Sequence, residues 1–105
     1  MWISNAGFAH VFIVFARVES DKNITGFIVE KGTKGLNLGA EEHKLGLKSS
    51  STRMVFFEDC VIPAENLLGE RNGGFKIAMN ALNVGRIKLG VAAIDSMRNA
   101  TTLSV

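Results

Sequence analysis

The sequence predicts a mainly β chain: an antiparallel sheet or barrel-like body followed by one long C-terminal α-helix. Two observations predict it. Up to about Asn72, apolar residues come in short runs separated by turn formers, as strands do. Beyond Asn72 they recur at steps of three and four, as on a helix. The 105 residues, 47% hydrophobic and 21% charged, allow one domain or a piece of one.

The elements follow in order. Phe8 to Val18 is almost wholly apolar and rich in Val, Ile and Phe, which predicts a central strand buried on both faces. Ser20-Asp21-Lys22-Asn23 supplies turn chemistry, so Ile24 to Glu30 becomes the second strand of a hairpin with a four- or five-residue loop. Gly32, Gly35 and Gly39 leave room for a short strand at Leu36 to Leu38. Glu41 to Gly46 reads as a charged turn or short strand, and Ser49 to Thr52 as a loop. Arg53 to Ile62 alternates imperfectly and is closed by Pro63, and Ala64 to Leu68 suits one turn of helix.

Asn72 is the candidate N-cap of the last element. From Gly74 to about Thr102 the helix would be about 40 Å long, against a radius of gyration of about 13 Å for a compact domain of this size. A broad apolar helix that overhangs its own sheet is what a cut domain boundary looks like. The plainer alternative is two shorter helices broken at Gly85 or Gly90, each of which costs about 1 kcal/mol relative to Ala within a helix.

Composition excludes several classes. Twelve basic against ten acidic residues give a net charge of +2, no signal for nucleic acid or membrane surface. No segment approaches the roughly 18 consecutive apolar residues of a membrane span. One cysteine makes no internal disulfide or zinc site, so a reducing compartment is expected, and Met1 to Asn5 does not open a signal peptide.

Few residues suggest chemistry. Trp2 and Ser4 share one face if they lie in a strand, and could together touch a flat heterocycle; the ordinary reading is a core Trp beside a turn Ser. His10 reads as a satisfied strand residue and His43 as solvated. Cys60, beside Glu58-Asp59 and without a His neighbour, lacks what a nucleophilic thiol requires. Gly32-Thr33-Lys34-Gly35 does not match a phosphate loop. Arg86 lies on an apolar face between Leu82 and Leu89, where a cation either needs an anion or carbonyl partner or snorkels at a domain edge. Spacing alone reveals no catalytic constellation.

Read together, however, six stretches carry a resemblance. These are Met-Trp-Ile-Ser-Asn at 1–5, Phe-Ile-Val-Glu-Lys at 27–31, Lys44 through Thr52-Arg53 to Asp59, and Val61-Ile62-Pro63-Ala64-Glu65-Asn66-Leu67-Leu68-Gly69. Gly74 to Met79 and Leu82-Asn83-Val84-Gly85-Arg86 complete the series. In this order and spacing they resemble an acyl-CoA dehydrogenase, in look closest to the long- and very-long-chain branch. The resemblance implies a partial middle β-domain at 1–71 and the start of a C-terminal helical domain at 72–105. It implies FAD as cofactor, with Trp2, Ile3 and Ser4 at the flavin and the Ser4 hydroxyl near N5, where charge develops on reduction. Asn83, Val84, Gly85 and Arg86 become acyl-CoA contacts.

The implied reaction is α-proton removal from an acyl-CoA with hydride transfer to flavin, giving a trans-2-enoyl-CoA. An electron-transfer flavoprotein takes the electrons, and the full-length protein is a homo-oligomer. Some relatives carry their catalytic Glu immediately before this Arg; here the position is Gly85. No catalytic residue is therefore expected in this chain, the base belonging to a later C-terminal part, and no dehydrogenation by the chain alone. Two alternatives stay open: a non-catalytic β-domain serving as a binding or assembly module, and an acyl-CoA oxidase relative. The implied location is the bacterial cytoplasm or, in a eukaryote, the mitochondrial matrix.

Overall fold

Strands form where Val, Ile, Phe and Leu alternate, and one helix forms where they recur every three to four residues. The computed structural model describes residues 1–104. Its strands are β1 (Trp2–Ser4), β2 (Val11–Ala16), β3 (Thr25–Glu30), β4 (Leu36–Glu41), β5 (Thr52–Phe57) and β6 (Leu67–Leu68). Helix α1 (Gly74–Ser104) follows, and a single 3-10 turn (Ala64–Asn66) precedes β6.

The strands make two three-stranded sheets, in the orders β1-β5-β4 and β2-β3-β6, with every pairing antiparallel. The sheets stay open and do not close into a barrel. Ala6, Phe12, Val29 and Val55 form the buried core, and Ile3, Val14, Leu36, Leu38, Cys60 and Ile62 pack against it.

Several expectations change in detail. The run from Phe8 to Val18 is not a central strand: β2 is an edge strand whose inner face, Phe12, is buried while Ile13 on the outer face is 49% exposed. Its apolar outer face has no cover within the described residues. His10 lies before β2 and is exposed. The hairpin loop spans residues 17–24, longer than expected. Strand β4 runs on past Leu38 to Glu41 through a register shift. Strand β5 ends at Phe57, well before Pro63, because Asp59 turns the chain with a left-handed φ of 48°.

The helix is continuous through Gly85 and Gly90, so the two-helix alternative fails. Asn72 is not its N-cap. Asn72 adopts a left-handed φ of 68° one residue too early, and the Gly73 carbonyl accepts the bond from Ile77 N–H at 3.4 Å. The joint is otherwise tightly tied. Gly74 N–H donates to the Ile24 carbonyl at 2.9 Å and Asn72 N–H to the buried Thr25 Oγ1 at 2.9 Å. A Cβ on Gly74 would lie 2.8 Å from the Ile24 oxygen and 2.9 Å from the Thr25 carbonyl carbon, so only glycine fits. Arg71 adds ion pairs to Asp21 at 2.6 Å and Glu19 at 3.2 Å.

Beyond this joint the helix leaves the body. Every described residue after Met79 is exposed, and the molecule reaches 59 Å along its longest axis with a radius of gyration of 18.0 Å. The expectation about membrane spans needs correcting here. By length and composition alone α1 could cross a bilayer, with mean hydropathy 1.2 over its most apolar 18 residues. Arg86, Lys88, Asp95 and Arg98 interrupt it, and charges are costly at a bilayer's centre but tolerable between packed protein helices.

Candidate functional site

The site begins with the pairing of β1. Antiparallel register sets Trp2 beside Met54, Ile3 beside Arg53 and Ser4 beside Thr52 on β5. Alternation along the strand then divides the three residues. Ile3 packs against the core, while Trp2 and Ser4 share the outer face of the β1-β5-β4 sheet. The reading of Trp2 as a core residue is thereby overturned: its side chain is 61% exposed.

The indole is nonetheless held. Its Nε1–H donates to Glu42 Oε1 at 2.8 Å, a contact between residues forty positions apart. Glu42 was not a candidate from sequence, because its approach to Trp2 depends on how β4 and β1 flank β5. The register shift in β4 between Leu38 and Glu41 supplies the local cause, since a bulge re-aims the side chains that follow it.

Glu41 locks that bulge. Its carboxylate accepts bonds from Ser51 Oγ at 2.7 Å, Thr52 N–H at 2.6 Å and Arg53 Nε at 2.9 Å. These donors, Ser51 foremost and the Thr52 amide next, pull its carboxyl from 4.5 to about 2. Ser51 Oγ in turn accepts from Gly7 N–H at 3.1 Å, tying the loop after β1 into the same network.

Two recesses lie nearby, and Trp2 lines neither of them. One, of about 390 Å³, is lined by Gly39, Glu42, His43, Met54 and Phe56. The other, an apolar cleft of about 540 Å³, opens between the free edges of β1 and β2 and is lined by Ile3, Ser4, Phe12, Ile13, Phe15 and Phe57. A tethered indole and a hydroxyl on the same open face suit contact with a flat heterocycle that has a polar rim. Met54 and Phe56 join this surface through the β5 alternation and were also missed from sequence. His43 is exposed, and among the described residues no cluster of His, Cys, Asp and Glu could hold a metal ion.

The second predicted group lies on α1. Asn83, Val84, Gly85 and Arg86 are all exposed, and a Cβ on Gly85 would meet nothing within 4 Å. Arg86 finds a local partner: its Nη1 donates to Asn83 Oδ1 at 3.0 Å, one turn back. The remaining guanidinium donors face outward. Since α1 leaves from β3, in the other sheet, no hydrogen bond among the described residues joins this stretch to Trp2 or Ser4.

The family pattern described as "Acyl-CoA dehydrogenase, middle domain" matches residues 1–60. A probable acyl-CoA dehydrogenase of Bacillus subtilis is 48% identical over 103 residues, covering 98% of this chain and 17% of the relative. The human mitochondrial very long-chain specific acyl-CoA dehydrogenase is 41% identical over 113 aligned positions, covering all of this chain and again 17% of the relative. The solved structure of a Bacillus anthracis acyl-CoA dehydrogenase complexed with FAD superposes with a TM-score of 0.79 at 51% identity, covering 86% of this chain and 15% of that one. The chain thus spans about a sixth of the length of these relatives. With the sheets, the long helix and the pattern over its first sixty residues in agreement, the chain belongs to the acyl-CoA dehydrogenase family.

Proposed function

We propose that this chain supplies flavin-facing and substrate-facing surfaces to an FAD-dependent acyl-CoA dehydrogenase that oxidises acyl-CoA to trans-2-enoyl-CoA in fatty-acid oxidation. In this reading residues 1–71 are part of the middle β-domain and 72–105 begin the helical domain. The observation that carries the reading is the Trp2 indole, exposed on an edge strand yet tethered, with Ser4 on the same face.

Trp2, Ile3 and Ser4 would hold FAD, which would supply the hydride acceptor. The chain's own residues do the rest of what it contributes. Trp2 offers an aromatic face, Ser4 offers a hydroxyl donor where negative charge builds, and Ile3 acts through its backbone because its side chain belongs to the core. On α1, Asn83 orients the Arg86 guanidinium by accepting one of its five donors, which leaves the others for an anionic or carbonyl group of the acyl-CoA. Val84 and Gly85 line the same exposed turn. The catalytic base lies outside this set, since Gly85 occupies the position before Arg86. An electron-transfer flavoprotein receives the electrons, and the working enzyme is a homo-oligomer of the bacterial cytoplasm or mitochondrial matrix.

Titration of the chain with FAD tests this directly, because Trp2 is its only tryptophan. Saturable quenching of Trp2 emission is expected, weakened by Ser4→Ala. FAD that leaves the emission unchanged defeats the reading. With FAD and acyl-CoA supplied together, no enoyl-CoA is expected from the chain; its appearance would show a base among these residues.

A further inference from the structure

Trp2 sits on a strand three residues long at the edge of its sheet, with 61% of its surface open to solvent. Little packing restrains such a side chain, and exposed rotamers interconvert within picoseconds to nanoseconds. Yet the indole N–H has one well-formed partner, Glu42 Oε1 at 2.8 Å, a charge-assisted bond of the stronger kind. Three separate devices aim that carboxylate. The register shift in β4 redirects the chain after Leu38, and three donors pin Glu41 next door. Glu42 N–H then donates to the Thr52 carbonyl at 2.9 Å, fixing its backbone to the strand that also holds Trp2. Glu42 is committed to no cation: among the described residues the indole N–H is the sole donor to its side chain.

We propose that Glu42 is a positioning residue, whose carboxylate holds the Trp2 indole in one attitude so that a constant ring face meets a flat aromatic ligand on the outer surface of the β1-β5-β4 sheet. The proposal rests on the flavin reading above, with the isoalloxazine as that ligand. The bond does for an exposed ring what packing does for a buried one. It removes rotameric freedom before the ligand arrives, so less is lost on binding.

The chain has one tryptophan and no tyrosine, so the decay of emission anisotropy reports the indole alone. In the wild-type chain the ring is expected to depolarise with the body. Glu42→Ala gains a sub-nanosecond component, and Glu42→Asp, one methylene too short, gains the same. Glu42→Gln, whose amide oxygen still accepts the bond, restores most of the slow decay. The dissociation constant for FAD should rise about three- to tenfold in Glu42→Ala, the scale of one partly screened hydrogen bond. In Glu42→Gln it should rise by less than about twofold. Anisotropy decays that coincide in wild type, Glu42→Ala and Glu42→Asp overturn the positioning role, whatever FAD does. A fast component in Glu42→Ala together with wild-type emission that FAD does not quench overturns the flavin reading and with it the ligand named here. Should Glu42→Ala lose its far-ultraviolet circular dichroism, Glu42→Asp and Glu42→Gln carry the comparison.

Discussion

The two parts of the molecule obey one hydrophobic rule with opposite outcomes. In the body, Val29 is wholly buried because a second sheet faces its own. On the helix, Ile87 is 70% exposed although it is the larger side chain. Intrinsic preference does not separate them, since both belong to regular apolar patterns. The difference is whether the chain itself provides an opposing surface. A core is a property of facing elements, and α1 faces none of its own beyond the first turns. Among the described residues, nothing covers the stripe that Ile87 shares with Leu82, Leu89 and Val91.

The joint between body and helix is the most sensitive point of the molecule. Gly74→Val drives a side chain into the Ile24 and Thr25 backbone, and a loss of about 3 kcal/mol is expected in urea unfolding of the chain. Next in size, Val29→Ala should cost about 2 kcal/mol through the cavity it leaves. Its helical counterpart Ile87→Ala should change stability by less than about 0.5 kcal/mol in the same measurement. Equal losses at the two positions would mean that α1 is covered in solution. Thr25→Val removes the acceptor of the Asn72 amide at a buried site and should cost about 1–2 kcal/mol. Gly85→Ala should do the reverse, raising helix stability by up to about 1 kcal/mol, because open space surrounds the new methyl.

The smallest effect depends on pH. Glu41 is held at about 2 against an ordinary 4.5, so its folded form binds a proton less readily than the unfolded chain does. The stability it contributes is present above about pH 4.5 and is lost as pH falls towards about 2. Asp21, lowered chiefly by its bond to Arg71, acts in the same direction. Ser51→Ala, which removes the leading donor to Glu41, should flatten the dependence of the urea midpoint on pH over that window. An unchanged slope would show that the Glu41 clamp is not formed in solution.

Legibility in the sequence followed the range of the interaction. The helix could be read almost to its last residue, because a repeat of three to four over thirty positions survives two glycines. The hairpin of β2 and β3 was legible from its turn chemistry, although its loop length was not. That β2 is an edge strand escaped, since an apolar run looks alike whether one neighbour or two will pair with it. At the site, alternation gives Trp2 and Ser4 a shared face. The ordinary reading of Trp2 as a core residue fails, because a short edge strand leaves its outer face uncovered. Glu42, Met54 and Phe56 reach that surface only through the register of three strands, which no local pattern reports. The Asn83–Arg86 bond, one helical turn long, lay within reach of spacing alone.

The tie between Thr25, Asn72 and Gly74 has a mechanical consequence. A rod of thirty-one residues is about 46 Å long, so a swing of about 5° where it is anchored displaces its tip by about 4 Å. Arg86 rides about two-fifths of the way along that lever arm. Any pocket shared between the strands and the rod inherits its alignment from a few backbone atoms remote from the chemistry. Misplacement by about 1 Å can slow a reaction on the order of a hundredfold. A single methyl group at the pivot would therefore be felt far out along the arm, at atoms it never touches.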